Sequence, residues 1–381
     1  MIAALLLQAA ASPAPPAEAQ ARDGIARGLE YLLSVQEKDG AFGHWRRPES
    51  EFWSNLESHK SWQVATTGLA CMALMDAGST DAHWAALDRA VDHLSARAAV
   101  KRPSDWDVDN VWGYVYGLAA LTQASAFPRY ADAGQEPRRA AMRAMGEALL
   151  EKLWKYQTPS GGWSYYDDET LAYRPSWATS FTTAVAVLGL LDARQLGWKV
   201  DAKRLQRAVA AVQRCRMPNG AYTYNVETFP SLGSLENIDQ IKGSLSRIQV
   251  CNLALWRAQR ELGIDSGITE ETLRQGLAYF FREHRFLDVA LKRPIPHEAY
   301  YYNSGYFYFF GHYYAAFVIQ LLPEADRRHF ATLLWREILK LQQKDGSMWD
   351  FYMNSYGKPY GVGFGVSALR RSLPAPAPGP E

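Results

Sequence analysis

A short pattern recurs along this chain, each time where a stretch of helical periodicity stops: a Gln, a polar turn containing Gly, then an aromatic. It runs from Gln36 through Asp39 and Gly40 to Phe42, and from Gln157 through Gly161 and Gly162 to Trp163. A degraded copy runs from Met217 through Asn219 and Gly220 to Tyr222, and a last one from Gln342 through Asp345 and Gly346 to Trp349. The glycines are spaced by one or two multiples of about sixty residues, the length of a long helical hairpin with its loops. Gly after a helix adopts the left-handed conformation at little cost. A preceding Asp or Asn suits the turn. The following ring is expected to fold back over the helix end.

Between these turns two kinds of helix alternate. Leu205, Val209 and Val212 recur at helical spacing, as do Leu273, Leu277, Phe280 and Phe281, with Lys203, Arg204, Arg207, Glu271 and Arg274 on the other faces. Such one-sided helices belong to an outer layer. The others are apolar all round and therefore buried. They run over Trp62–Met75, Val111–Leu121, Trp177–Leu191, Ile248–Trp256, Tyr306–Leu322 and a shorter, Gly-rich Val362–Leu369. Outer members begin near Ile25, His83, Arg138, Lys203, Thr269 and Asp326. The expected fold is all-α: a single α/α toroid of six outer–inner helical hairpins, an α6/α6 barrel spanning residues 21–372.

Residues 1–20 read as a signal peptide or a disordered leader. An apolar run from Ile2 to Ala11 is too short to span a membrane. Ala17-Glu18-Ala19 has the small-x-small form of a cleavage site, although no Lys or Arg precedes the run. The expectation is export to a bacterial-type periplasm or outside the cell. Residues 373–381 read as a disordered Pro/Ala tail. Cys71, Cys215 and Cys251 sit in apolar helical segments, with spacing that suits neither a zinc knuckle nor a disulfide framework. A net charge of +1 with no basic stripe gives no support to a nucleic-acid partner.

Gln157, Gly161 and Trp163 give the spacing Gln-x-x-x-Gly-x-Trp. It resembles the repeat of squalene–hopene and oxidosqualene cyclases and of protein prenyltransferase β subunits, and the likeness covers essentially Ile25 to Leu369. The resemblance implies an α/α toroid of the terpenoid-cyclase type. In such a ring the inner helices run in parallel, so their N-terminal ends gather at one rim of a central cavity. Asp107 and Asp109 precede the inner helix from Val111, in a stretch that resembles the Asp-x-Asp-Asp acid motif of squalene–hopene cyclases. The resemblance gives Asp109 the role of proton donor, while Asn110 departs from the third aspartate. Helix capping is the competing reading, since Asp is a favoured N-cap and the helix dipole holds its carboxylate as the anion. Gln249, Cys251 and His312 resemble the zinc set of prenyltransferase β subunits, but Gln249 stands where an aspartate ligand belongs. An open catalytic zinc site keeps three protein ligands, so neither a metal nor a cofactor is expected.

The chain carries 13 Trp, 21 Tyr and 15 Phe. So many rings either fill the core or line a cavity. Trp62, Trp112, Tyr116, Trp177, Tyr306, Arg247 and His312 are the candidate ligand-binding residues. Asp167, Asp168 or Glu298 opposite Asp107 or Asp109 would supply the carboxylate pair of a glycan hydrolase. The expected function is binding of an extended hydrophobic, isoprenoid-like small molecule in an aromatic cavity, with cyclase-like chemistry at Asp109. The alternative is a non-catalytic toroid that binds a protein partner or a glycan.

Overall fold

A computed structural model describes residues 16–43, 56–101, 110–165, 177–226, 237–292, 300–351 and 357–374. The described residues are all-α, with isolated β-bridges and no extended strand among them. Six helices are buried on nearly every face: α2 (Leu56–Ala77), α4 (Asn110–Ser125), α6 (Ser180–Gln195), α8 (Leu245–Leu262), α11 (Phe307–Gln320) and α13 (Gly357–Ser372). Each packs against the next, and α13 packs back on α2, which closes the inner ring. Around it lie α1 (Pro16–Val35), α3 (Asp81–Arg97), α5 (Glu136–Tyr156), α7 (Ala202–Arg214), α9 (Glu270–Arg282) and α12 (Glu324–Lys340). These outer helices bury one stripe each. In α7 the stripe is Leu205, Ala208, Val209, Ala211 and Val212, and the helix starts at Asp201, whose carboxylate accepts the Arg204 amide at 3.0 Å.

Three details differ from the sequence-based reading. Each outer helix packs chiefly on the inner helix that precedes it, and α1 serves as the outer partner of α13. The repeat is therefore closed by its two ends. The cause is loop length: inner-to-outer connections are short, whereas outer-to-inner connections are long. A further short helix, α10 (Arg285–Leu291), lies in one long connection. It has too few turns to show a period in sequence. The last inner helix is also full-length despite its glycines. A Cβ at Gly363 would sit 2.8 Å from Leu69 Cβ, so the missing side chain lets α13 lie against α2.

The recurrent pattern proves to be a clamp between neighbouring outer helices. Gln36 Nε2 donates to Gly40 O (3.1 Å) and to Ala86 O on α3 (2.8 Å). Gln157 repeats this with Gly161 O (2.7 Å) and Arg204 O (3.0 Å). Gln342 does so with Gly346 O (3.2 Å) and Gly24 O on α1 (2.8 Å). In the degraded copy the same register holds Arg216, which reaches Gly267 O at 3.0 Å. The ring two residues past the glycine folds back as expected: Trp163 is fully buried and donates its indole N–H to Leu153 O at 2.7 Å. In the last copy Met348, not Trp349, takes that buried place. Its sulfur fills the space that a Cβ at Gly365 would need.

Candidate binding site in the bore

The long connections all enter the N-terminal ends of the inner helices, so one face of the toroid carries the long loops and the other the short ones. Binding residues concentrate on long loops held by a rigid scaffold. Between the faces, rings from opposite helices meet. α4 lies across the ring from α11, yet the Trp112 ring is 6.3 Å from Phe310, and Tyr116 Oη is 3.5 Å from Tyr314 Oη. Phe181 of α6 reaches Phe307 of α11 at 5.2 Å, and Tyr116 reaches Phe364 of α13 at 5.6 Å. Such pairs form only if the rings occupy the axis. Trp112 stacks on both Tyr116 and Phe181, each at 5.9 Å, and is only partly buried. Among the described residues these rings form an aromatic floor across the bore, with the partly buried Trp112 on its side nearest the N-terminal ends of the inner helices. Burial pushes Tyr116 and Tyr314 well above the usual phenol range, so both stay neutral.

The sequence-derived candidates fall into separate groups. Trp62, Trp177 and Tyr306 are partly buried near the N-terminal ends of α2, α6 and α11. Trp177 packs edge-on to Tyr165 at 5.2 Å, and Tyr306 packs against Phe307 and Phe351. Arg247, 2% exposed, is a brace: it donates to Tyr222 O and Ile238 O, faces Asp239 at 3.9 Å and lies over the Tyr224 ring. His312 is fully buried on the side of α11 turned to the outer layer. Its Nδ1 is 2.7 Å from Tyr308 O, its Nε2 is 3.1 Å from His284 Nε2, and its ring meets Phe280. Burial, then the charge of His284, hold it well below the usual imidazole range. Phe307, Phe310 and Tyr314 share one helical face by i, i+3, i+7 spacing, and residue 312 falls opposite. That spacing was readable in the sequence. Cys251 is fully buried beside Ser180 and Arg247, and burial pushes its thiol up. Asp107 and Asp109, like Asp167, Asp168 and Glu298, lie outside the described residues.

His284, Asp288 and Glu337 hold ligand-type atoms within 4.8 Å of one another. The Lys340 ammonium stands 2.7 Å from Asp288 and 2.6 Å from Glu337. It supplies the positive charge that those carboxylates need. Although desolvation opposes it, hydrogen bonds from His284 and Lys340 hold Asp288 down at about 2. The group reads as an ion network joining α10 to α12.

Sequence reasoning missed a cavity of about 450 Å3 on the short-loop face, beneath the aromatic floor. Met72, Ala119, Val185, Leu188, Leu253 and Phe317 form its walls, and Asp192, Arg257 and Arg371 stand at the helix ends around it. The signal available was a set of charged residues near the C-terminal ends of otherwise apolar helices.

No protein-family model matches the chain, and no curated protein matches it. Solved structures do match in fold. A type II terpene cyclase from Scytonema, in complex with its substrate geranylgeranyl dihydroxybenzoate, aligns over 94% of this chain and 98% of its own, with TM-score 0.51 and 14% identity. An unsaturated glucuronyl hydrolase from Bacillus sp. GL1 aligns over 92% and 95%, with TM-score 0.55 and 14% identity. A sugar epimerase from a ruminal bacterium aligns over 94% and 100%, with TM-score 0.56 and 13% identity. The chain therefore shares the α/α toroid with a terpene cyclase and with sugar-processing enzymes.

Proposed function

We propose that this chain binds an extended, isoprenoid-like ligand in the long-loop mouth of its bore and acts on it as a terpenoid-cyclase-like enzyme. The observation that carries the reading is the meeting of rings from opposite inner helices under a partly exposed Trp112. Aromatic faces hold apolar chains and stabilise cations. The terpene cyclase among the fold's neighbours is bound to a geranylgeranyl substrate. Asp109 adjoins Asn110, the first residue of α4, in the chain. In the proposed step its acid proton goes to a terminal alkene, and the π pair forms the new C–H bond. The tertiary carbocation left behind faces the rings. The π pair of the next alkene along the chain attacks it to form the ring's C–C bond and passes the charge on. The final cation gives up a neighbouring proton to water, which returns one to the Asp109 carboxylate. Asp107 is its partner in the motif.

The test incubates wild type and Asp109→Asn with linear polyprenoids, squalene included, and looks for cyclised products. Products are expected from the wild type and not from the variant, because an amide delivers no proton. Asn caps a helix about as well as Asp, so equal melting temperatures are expected. Binding without product from either protein would sink the catalytic part and leave a non-catalytic toroid.

We also propose export. Protein from the native host is expected to begin near residue 20, a position that keeps Ala21, Ile25, Leu29 and Leu32, the buried stripe of α1. Intact mass measurement decides it, and a retained Met1 refutes it.

A further inference from the structure

We propose that the short-loop-face cavity is a second binding site, for an uncharged apolar molecule bearing hydroxyl groups. Its size, about 450 Å3, lies in the range of small-molecule pockets. Three features define the ligand. The walls named above are aliphatic and aromatic, which calls for an apolar body. Three phenols, Tyr116, Tyr313 and Tyr314, line the cavity and are at most 5% exposed. Their hydroxyls make only long contacts: 3.5 Å between Tyr116 and Tyr314, and 3.6 Å from Tyr313 to Met72 sulfur. Buried hydroxyls normally find a full partner, so these three are poised for a polar group inside the cavity.

The charged groups at the rim select against ions. Arg257 is held by Glu261 (2.6 Å) and Asp192 (2.7 Å), and Arg371 grips both oxygens of Asp76 at 2.7 Å. The pairs already neutralise these groups, so a carboxylate or an ammonium ligand would reach only the atoms the pairs leave unused and would give up its own hydration to do so, at high cost. A hydroxyl has far less hydration to lose. It donates to a remaining lone pair of Asp192 and accepts from a guanidinium N–H that the pairs leave unused. The aromatic floor stands between this cavity and the Trp112 end of the bore, so the two sites are expected to fill independently.

The test titrates the protein calorimetrically with 4-butylphenol, butylbenzene, 4-butylbenzoate and 4-butylbenzylammonium. The phenol is expected to bind at one site per chain, about tenfold tighter than the hydrocarbon, the worth of a buried neutral hydrogen bond. Both ions should bind more weakly than the phenol. Ala119→Phe, which fills the cavity, should abolish binding. Tyr314→Phe should bring the phenol towards the hydrocarbon while leaving the hydrocarbon unchanged. Polyprenoid binding in the bore should be untouched by Ala119→Phe. Tighter binding of either ion, equal binding of phenol and hydrocarbon, no binding of any probe, or undiminished binding in folded Ala119→Phe would overturn the proposal. If Ala119→Phe does not fold, the selective effect of Tyr314→Phe decides alone.

Discussion

Gly346→Ala is expected to lower the unfolding free energy by about 3 kcal/mol or more, among the larger single-residue losses. Two causes add. Gly346 has φ +84°, a left-handed conformation that costs a residue with a Cβ about 1–2 kcal/mol. A Cβ there would also lie 2.2 Å from Arg27 O, so the last repeat would have to move off α1. Gly220 provides the control. Its φ is +87°, but the nearest atom to an added Cβ is Tyr279 Cε2 at 3.8 Å. Gly220→Ala should therefore cost only the backbone part, about 1–2 kcal/mol. Denaturant unfolding of both variants measures the difference. Equal losses would mean that close approach of the outer helices is not why the repeat keeps its glycine.

Arg371→Ala should cost about 3 kcal/mol by leaving Asp76, 9% exposed, without its guanidinium. The pair joins α13 to α2, the two ends of the inner ring. Desolvation already raises the Asp76 carboxyl above its ordinary value, with Arg371 pulling the other way. Removing Arg371 raises it further. A folded-state pKa above the unfolded one means that the folded protein binds more protons between the two values. Stability then falls as pH rises through that window. The deficit of Arg371→Ala should be smallest in acid, just above the ordinary carboxylate range, and grow towards neutrality. Adding Asp76→Asn should recover part of the loss, because no charge is then stranded. A deficit independent of pH, with no recovery in the double variant, would show that packing of the Arg371 guanidinium over the Phe317 ring carries the effect.

The layering of this fold was readable because inner and outer helices differ in amphipathicity, and the repeat was readable because Gln and Gly recur in register, whereas the clamp that each Gln makes to the next outer helix was not. The true pairing of outer with inner helices was not. It depends on connection lengths, and the closing contact of α1 with α13 joins the two ends of the chain. Arg247 and His312 were polar residues placed by sequence near a rim; His312 turns to the outer layer because helical phase, not chain position, sets direction, and Arg247 is taken up by the Tyr222 and Ile238 carbonyls. The short-loop cavity was overlooked for a related reason. Asp192 and Arg257 come from consecutive repeats and Arg371 from the last, and only ring closure brings the third to the other two.

The central claim is that the mouth of the bore holds an isoprenoid chain on its rings. Equilibrium dialysis of the full chain against radiolabelled geranylgeraniol tests it most directly. We expect one saturable site per chain, weakened about thirtyfold by Trp112→Ala, as for a buried tryptophan at the centre of a binding surface. The same site should keep its affinity in Ala119→Phe. Absence of saturable binding, or equal affinity in folded Trp112→Ala, would contradict the account.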